Sequence, residues 1–111
     1  MVTLQTEEQT DFGAVKLLAS DGDKVVGRMY LYLLKNDLHK QPFGFLEDLF
    51  VEEDFRKQGI GSKLVQKAIA EAKTRGCYKV IANSRTFAGG VHGFYEKLGF
   101  VKWGFEFRIN L

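Results

Sequence analysis

Three groups of residues have types and spacings that chemistry can use. The first is Arg56-Lys57-Gln58-Gly59-Ile60-Gly61-Ser62, which joins an apolar run to an amphipathic one. Glycines there let successive backbone N–H groups turn toward one point. A helix starting at the same place adds partial positive charge, so the turn suits an anion such as a pyrophosphate. Arg56, Lys57 and Lys63 add formal charge. A plainer reading is that Gly59 and Gly61 only permit a tight strand-to-helix turn, and glycine spacing alone does not separate the two. The segment is not a P-loop, because GxxxxGK[ST] is absent. It is not the dinucleotide fingerprint GxGxxG either, because Leu64 stands where the third glycine belongs.

The second group is Glu47-Asp48, two adjacent acids inside the apolar run Phe43–Val51. Burying a carboxylate costs several kcal/mol unless it is paired or faces water. Successive strand residues point to opposite faces, so both acids reach one site only if the strand bulges. One of them lining a cleft would serve as a base or hold a cation; otherwise the strand has a wet edge. The third group is Tyr95, just after a glycine-rich loop. Beside Phe94 on an apolar face it reads first as core. His39 and His92 lack partners at metal-ligand spacing and read as surface residues, and no metal site is expected. Cys77 reads as packing rather than as a nucleophile.

These groups need elements to hold them. Runs 14–20 and 24–34 flank Asp21-Gly22-Asp23 and predict a hairpin. Phe43–Val51 is a nearly continuous apolar strand. Leu64, Val65, Ala68, Ile69 and Ala72 share one face of a helix over 59–75, which Gly76 stops. Tyr78–Ser84 is a strand, 85–90 a loop, and 91–98 a short helix stopped by Gly99. Trp103, Phe105, Phe107, Ile109 and Leu111 alternate with Gly104, Glu106, Arg108 and Asn110, predicting a half-buried final strand whose aromatics join the core or, at an edge, a dimer contact. Val2 and Leu4 alternate with Thr3 and Gln5, enough for a short edge strand. The strand–helix–strand unit over 43–84 needs a parallel crossover, right-handed by rule. The expected class is mixed α/β (α+β), a largely antiparallel twisted sheet around a central β-α-β unit, with residues 1–111 as a single domain.

Composition narrows the function classes. A net charge of +2 is too balanced for a protein that coats nucleic acid or a membrane surface. One cysteine excludes an intramolecular disulfide framework. No apolar run reaches the roughly 18 residues that span a bilayer. Residues 1–12 carry acids and no apolar core, unlike a signal peptide. These features point to a reduced, cytoplasmic setting.

The three groups together resemble the GNAT superfamily of acetyl-coenzyme A-dependent N-acetyltransferases. Val51, four residues, then Arg56-Lys57-Gln58-Gly59-Ile60-Gly61 look like its R/Q-x-x-G-x-G/A signature, and Phe94-Tyr95-Glu96-Lys97-Leu98-Gly99-Phe100 look like its second motif. The resemblance covers Phe43–Leu111 and fits the hairpin, but residues 1–12 leave no room for the two helices that follow the family's first strand. It implies acetyl-coenzyme A as co-substrate. The backbone of Leu49, Phe50 and Val51 would pair with the pantetheine arm. Arg56, Lys57, Gln58, Gly59, Ile60, Gly61 and Ser62 would hold the pyrophosphate. Tyr95 would protonate the departing thiolate, and Glu47 or Asp48 would take the amine's proton. The runs 45–51 and 76–80 are similar to the glucosamine-6-phosphate N-acetyltransferase subfamily, although Asn83 stands where that subfamily has an acid and Ala88 where many members of the superfamily have asparagine.

The expected function is transfer of an acetyl group to a primary amine, on a small molecule or a peptide, in a ternary complex. Acids in the cleft would favour a cationic amine; Arg85 would instead recruit an acidic one. A catalytically inactive coenzyme A-binding sensor or interaction module of the same fold is the alternative. A nucleic-acid role through Arg56, Lys57, Lys63 and Lys67 is disfavoured by the charge balance. No membrane partner is expected, and the C-terminal strand is a candidate homodimer contact.

Overall fold

The computed structural model describes residues 2, 4–8, 10, 12–84 and 89–111. Three long strands come first: β1 (Phe12–Asp21), β2 (Lys24–Leu34) and β3 (Phe43–Val51). A 3-10 turn at Glu53–Phe55 leads to helix α1 (Ile60–Thr74), short strand β4 (Val80–Ala82) and helix α2 (Gly89–Lys97). The sheet order is β1-β2-β3-β4, with the first three strands antiparallel and β4 parallel to β3. The mixed sheet and its β3–α1–β4 crossover are those the sequence pattern predicts.

The hairpin forms at the expected place. Asp21 pairs with Lys24, and Gly22 sits at φ +59, a left-handed turn position that glycine reaches without strain. Strand alternation then sends Leu17, Met29, Leu31 and Leu46 into the core. There they meet Leu64, Val65, Ala68 and Ala72, the apolar stripe of α1. The helix lies close to the sheet because Gly27 has no side chain. A Cβ there would come within 3.2 Å of Leu64 and 3.4 Å of Ile60. At its far end α1 closes with Gly76 at φ +78, and the Cys77 N–H donates to the Ala72 carbonyl at 2.9 Å, the hydrogen bond of a Schellman cap.

Three expectations are corrected. The predicted strand 78–84 narrows to Val80–Ala82, because β3 pairs with it only from Gly44 to Leu46. The C-terminal run is neither a strand of this sheet nor core. Trp103 is 95% exposed, its alternating apolar neighbours are also exposed, and no ladder reaches them. Period-two patterning favours an extended backbone but supplies no partner, and a strand needs one. Among the described residues of 1–10 no strand forms, and Val2 and Leu4 are exposed. No helix among the described residues is long and apolar enough to cross a membrane.

Leu31 is completely buried where α1 meets the middle of the sheet. Leu31→Ala should therefore destabilise the fold by about 2–5 kcal/mol, read as a lower urea midpoint with an unchanged slope.

Candidate functional site

The site begins with a defect in β3. Arg28 pairs with Phe50 and Tyr30 with Glu47, so Asp48 and Leu49 together oppose Met29. Asp48 takes up the extra residue at φ +56, a left-handed conformation unusual for a side-chain-bearing residue. This is the bulge that two adjacent acids need to reach one site. Past Leu46, β3 also has no β4 partner. The two strands part, and a cleft of about 470 Å³ opens between them. It is lined by Leu46, Glu47, Asp48 and Leu49 of β3, Gly61 of α1, Asn83 after β4, and Phe94 and Tyr95 of α2.

The open edge of β3 carries Leu49, Phe50 and Val51. The Phe50 carbonyl lies 3.3 Å from where a Gly27 Cβ would stand, so it faces β2. Strand carbonyls alternate, so that of Val51 faces the opposite, unpaired side. Arg56 Nε donates to it at 2.7 Å. The same guanidinium lies 5.5 Å from the Phe50 ring centre, and that of Arg28 lies 4.9 Å from it. Arg56 is thus folded back on the strand edge. Arg28 was not among the residues singled out from the sequence, because its contact with Phe50 is made across strands.

The turn before α1 has the shape of an anion cradle. Lys57 at φ +63 and Gly59 at φ +81 turn the chain left-handed on either side of Gln58. Gly59 is the N-cap and offers no side-chain acceptor to the helix. The first intrahelical bond runs from the Lys63 N–H to the Gly59 carbonyl at 3.1 Å, so the N–H groups of Ile60, Gly61 and Ser62 have no intrahelical acceptor. A methyl group on Gly61 would point into the cleft, 3.7 Å from Phe94 and 3.9 Å from Leu49.

Tyr95 is held by its neighbours. Its ring packs edge-on against Phe94 at 5.1 Å and Phe100 at 5.3 Å, and its carbonyl accepts the Phe100 N–H at 3.1 Å. Burial raises its phenol above the ordinary value near 10, and the negative charge of Glu47 raises it further. Its ring packs against its neighbours, as the core reading expects, and the residue also lines the cleft. Cys77 lies away from the cleft lining, and burial pushes its thiol upward despite nearby Arg75, as suits packing rather than reactivity. His39 stacks on Tyr78 at 5.2 Å. Arg85 and Ala88 lie outside the described residues.

Two measurements test this geometry. Gly61→Ala replaces a helical glycine with ordinary van der Waals clearance, so stability should hold or rise by up to about 1 kcal/mol. Affinity for a pyrophosphate-bearing ligand in the cleft should nevertheless fall. Glu47→Gln should lower the alkaline titration of Tyr95, followed by phenolate absorbance against a Tyr95→Phe control, because a nearby negative charge is removed.

Comparison with known proteins is consistent with this geometry. Residues 2–100 match the Acetyltransferase (GNAT) family. N-alpha-acetyltransferase 30 of Schizosaccharomyces pombe is 28% identical over 85% of this chain and 62% of its own length. Its human counterpart is 34% identical over 85% of this chain but only 26% of its own. Glucosamine 6-phosphate N-acetyltransferase 1 of Oryza sativa is 41% identical over 53% of this chain and 34% of its own. The chain therefore spans about a quarter to three-fifths of these relatives. Among solved structures, a Trypanosoma brucei acetyltransferase superimposes with TM-score 0.79 at 28% identity, covering 89% of this chain and 70% of that one. With the split between β3 and β4, the glycine turn and the Tyr95 motif in one place, the chain belongs to the GNAT acetyltransferase family.

Proposed function

We propose that the chain binds acetyl-coenzyme A in the β3–β4 cleft and transfers the acetyl group to a primary amine in a ternary complex. One observation carries this reading: a single cleft brings together an unpaired strand edge, a helix N-terminus, a carboxylate and a phenol. The fit is physical. Leu49–Val51 offer backbone groups for an extended amide-bearing arm, once Arg56 yields the Val51 carbonyl. The N–H groups of Ile60–Ser62, with Gln58 and Lys57 before them, face an anion. The cleft volume falls in the range of ligand sites.

The amine must be neutral to attack. Glu47, with Asp48 beside it on the bulge, takes its proton directly or through a water. The nitrogen lone pair then forms the N–C bond at the thioester carbonyl carbon. Backbone N–H groups near Leu49 stabilise the charge gathering on oxygen. As the C–S bond breaks, the nitrogen gives up its second proton to water, the sulfur takes the proton of the Tyr95 hydroxyl, and Tyr95 regains one from solvent while Glu47 releases its own to solvent. Its raised value keeps that proton in place at neutral pH.

The acceptor is a small-molecule or peptide amine, and the two acids favour a cationic one. The names of the relatives, glucosamine 6-phosphate and aminoglycoside N-acetyltransferases among them, support an amine acceptor. A cytoplasmic location fits a chain with one cysteine.

Calorimetry with acetyl-coenzyme A should show one site per chain, and an amine screen should then find turnover. No binding by folded protein overturns the reading; binding without transfer to any amine makes the chain a sensor module instead. Once an acceptor is found, Tyr95→Phe and Glu47→Gln should each lower kcat by about 10²-fold or more with acetyl-coenzyme A affinity retained.

A further inference from the structure

The sheet has a face turned away from α1. The helix packs on the side of Leu17, Met29, Leu31 and Leu46. Arg28 and Tyr30 alternate with Met29 and Leu31, so they point the other way. Leu46, Leu49 and Val51 of β3 also pack toward the core, which leaves Glu47 and Phe50 on the face of Arg28 and Tyr30. The register makes two rows there: Tyr30 opposite Glu47, and Arg28 opposite Phe50. The bulge at Asp48 is what brings them side by side, because in an unbroken strand Glu47 and Phe50 would point to opposite faces. Along β2 the rows are two residues apart, about 7 Å. Glu47 also lines the cleft, so the cleft reaches this face.

Arg28 is a half-buried cation with nothing to neutralise it. Its guanidinium lies 4.9 Å from the Phe50 ring centre, and that of Arg56 lies 5.5 Å from the same centre. Among the described residues no carboxylate lies within ion-pair distance of either. Arg56 spends its Nε on the Val51 carbonyl, while Arg28 donates to no acceptor among the described residues. Two like charges gathered on one ring favour an anion between or beside them. A guanidinium laid on a ring also has a fixed plane, and its edge presents the fork that takes an oxyanion through two parallel hydrogen bonds.

We propose that Arg28 selects the acceptor: it binds an oxyanion, carboxylate or phosphate, on the same molecule whose amine sits at Glu47. The acceptor class is then a zwitterionic amine whose two charges are separated by about the row spacing of 7 Å. About five or six bonds between nitrogen and oxyanion span that distance. An α-amino acid is too short to reach both residues, and a plain monoamine leaves Arg28 unpaired. The fate of the amine rests on the acetyl-transfer reading; the oxyanion site does not.

NMR of the arginine side-chain Nε–H groups reads the site without turnover. δ-Aminopentanoate and aminopropyl phosphate should shift the Arg28 signal, identified by its loss in Arg28→Gln, and the tighter of the two names the oxyanion. Glycine and pentylamine should leave that signal in place. Calorimetry should show the better zwitterion binding Arg28→Gln about 10-fold or more weakly. In transfer assays its kcat/KM should exceed that of pentylamine by about 10-fold or more. Arg28→Gln should bring it down toward the pentylamine value, Arg28→Lys should restore part of it, and the urea midpoint and acetyl-coenzyme A affinity should hold in both. The proposal is wrong if neither zwitterion moves the Arg28 signal, or if the preference survives Arg28→Gln. It is equally wrong if Lys16→Gln abolishes the preference instead, since Lys16 is the cation on the Tyr30 ring of the other row. An Arg28 response in a chain that binds no acetyl-coenzyme A upholds the oxyanion site and removes only the transfer reading.

Discussion

The site depends on one break in one ladder. At Asp48 an extra residue enters β3, and from Glu47 onward that strand has no β4 partner. Had the parallel pairing continued, the backbone of Leu49–Val51 would be consumed by the sheet and no cleft would open. The interruption leaves this edge of β3 without a β4 partner, and the Val51 carbonyl there takes a side-chain donor, Arg56, in place of a strand. It also changes the side-chain alternation, so that two neighbouring acids border the same space.

The rest of the fold fixes what faces that opening. α1 is pressed on the sheet by the contacts of Leu64, Val65, Ala68 and Ala72, and the lack of a side chain at Gly27 lets its first turn approach β2. That packing sets where the helix N-terminus lies, and so where its unpaired N–H groups converge. α2 closes the far side through Phe94 and Tyr95. Tyr95 is placed by the two rings that sandwich it, and its proximity to Glu47 is felt in its raised phenol. The placement of the cleft's lining thus draws on the same core contacts that hold the sheet to its helix.

Much of this was legible in particular residues. Asp21-Gly22-Asp23 located the hairpin, because few residues accept left-handed φ cheaply. The period of Leu64 to Ala72 located α1 and its buried face. The oddity of Glu47-Asp48 raised the need for a bulge, and Gly59 and Gly61 raised the anion cradle. Arg28 was missed, because its contact with Phe50 is made across strands and leaves no local pattern. The fold-back of Arg56 onto Val51 was missed because formal charge suggested a phosphate instead.

The sequence by itself determined the local conformations: which runs extend, which coil, and where the chain turns. Those choices rest on side-chain period and backbone sterics acting over a few residues. Tertiary structure alone decided which strands found partners. Trp103–Leu111 has as clean an alternation as β1, yet β1 lies beside β2 across a two-residue turn, while the final run joins no ladder among the described residues. Pairing is a property of two backbones, and only the folded arrangement says whether the second one is there.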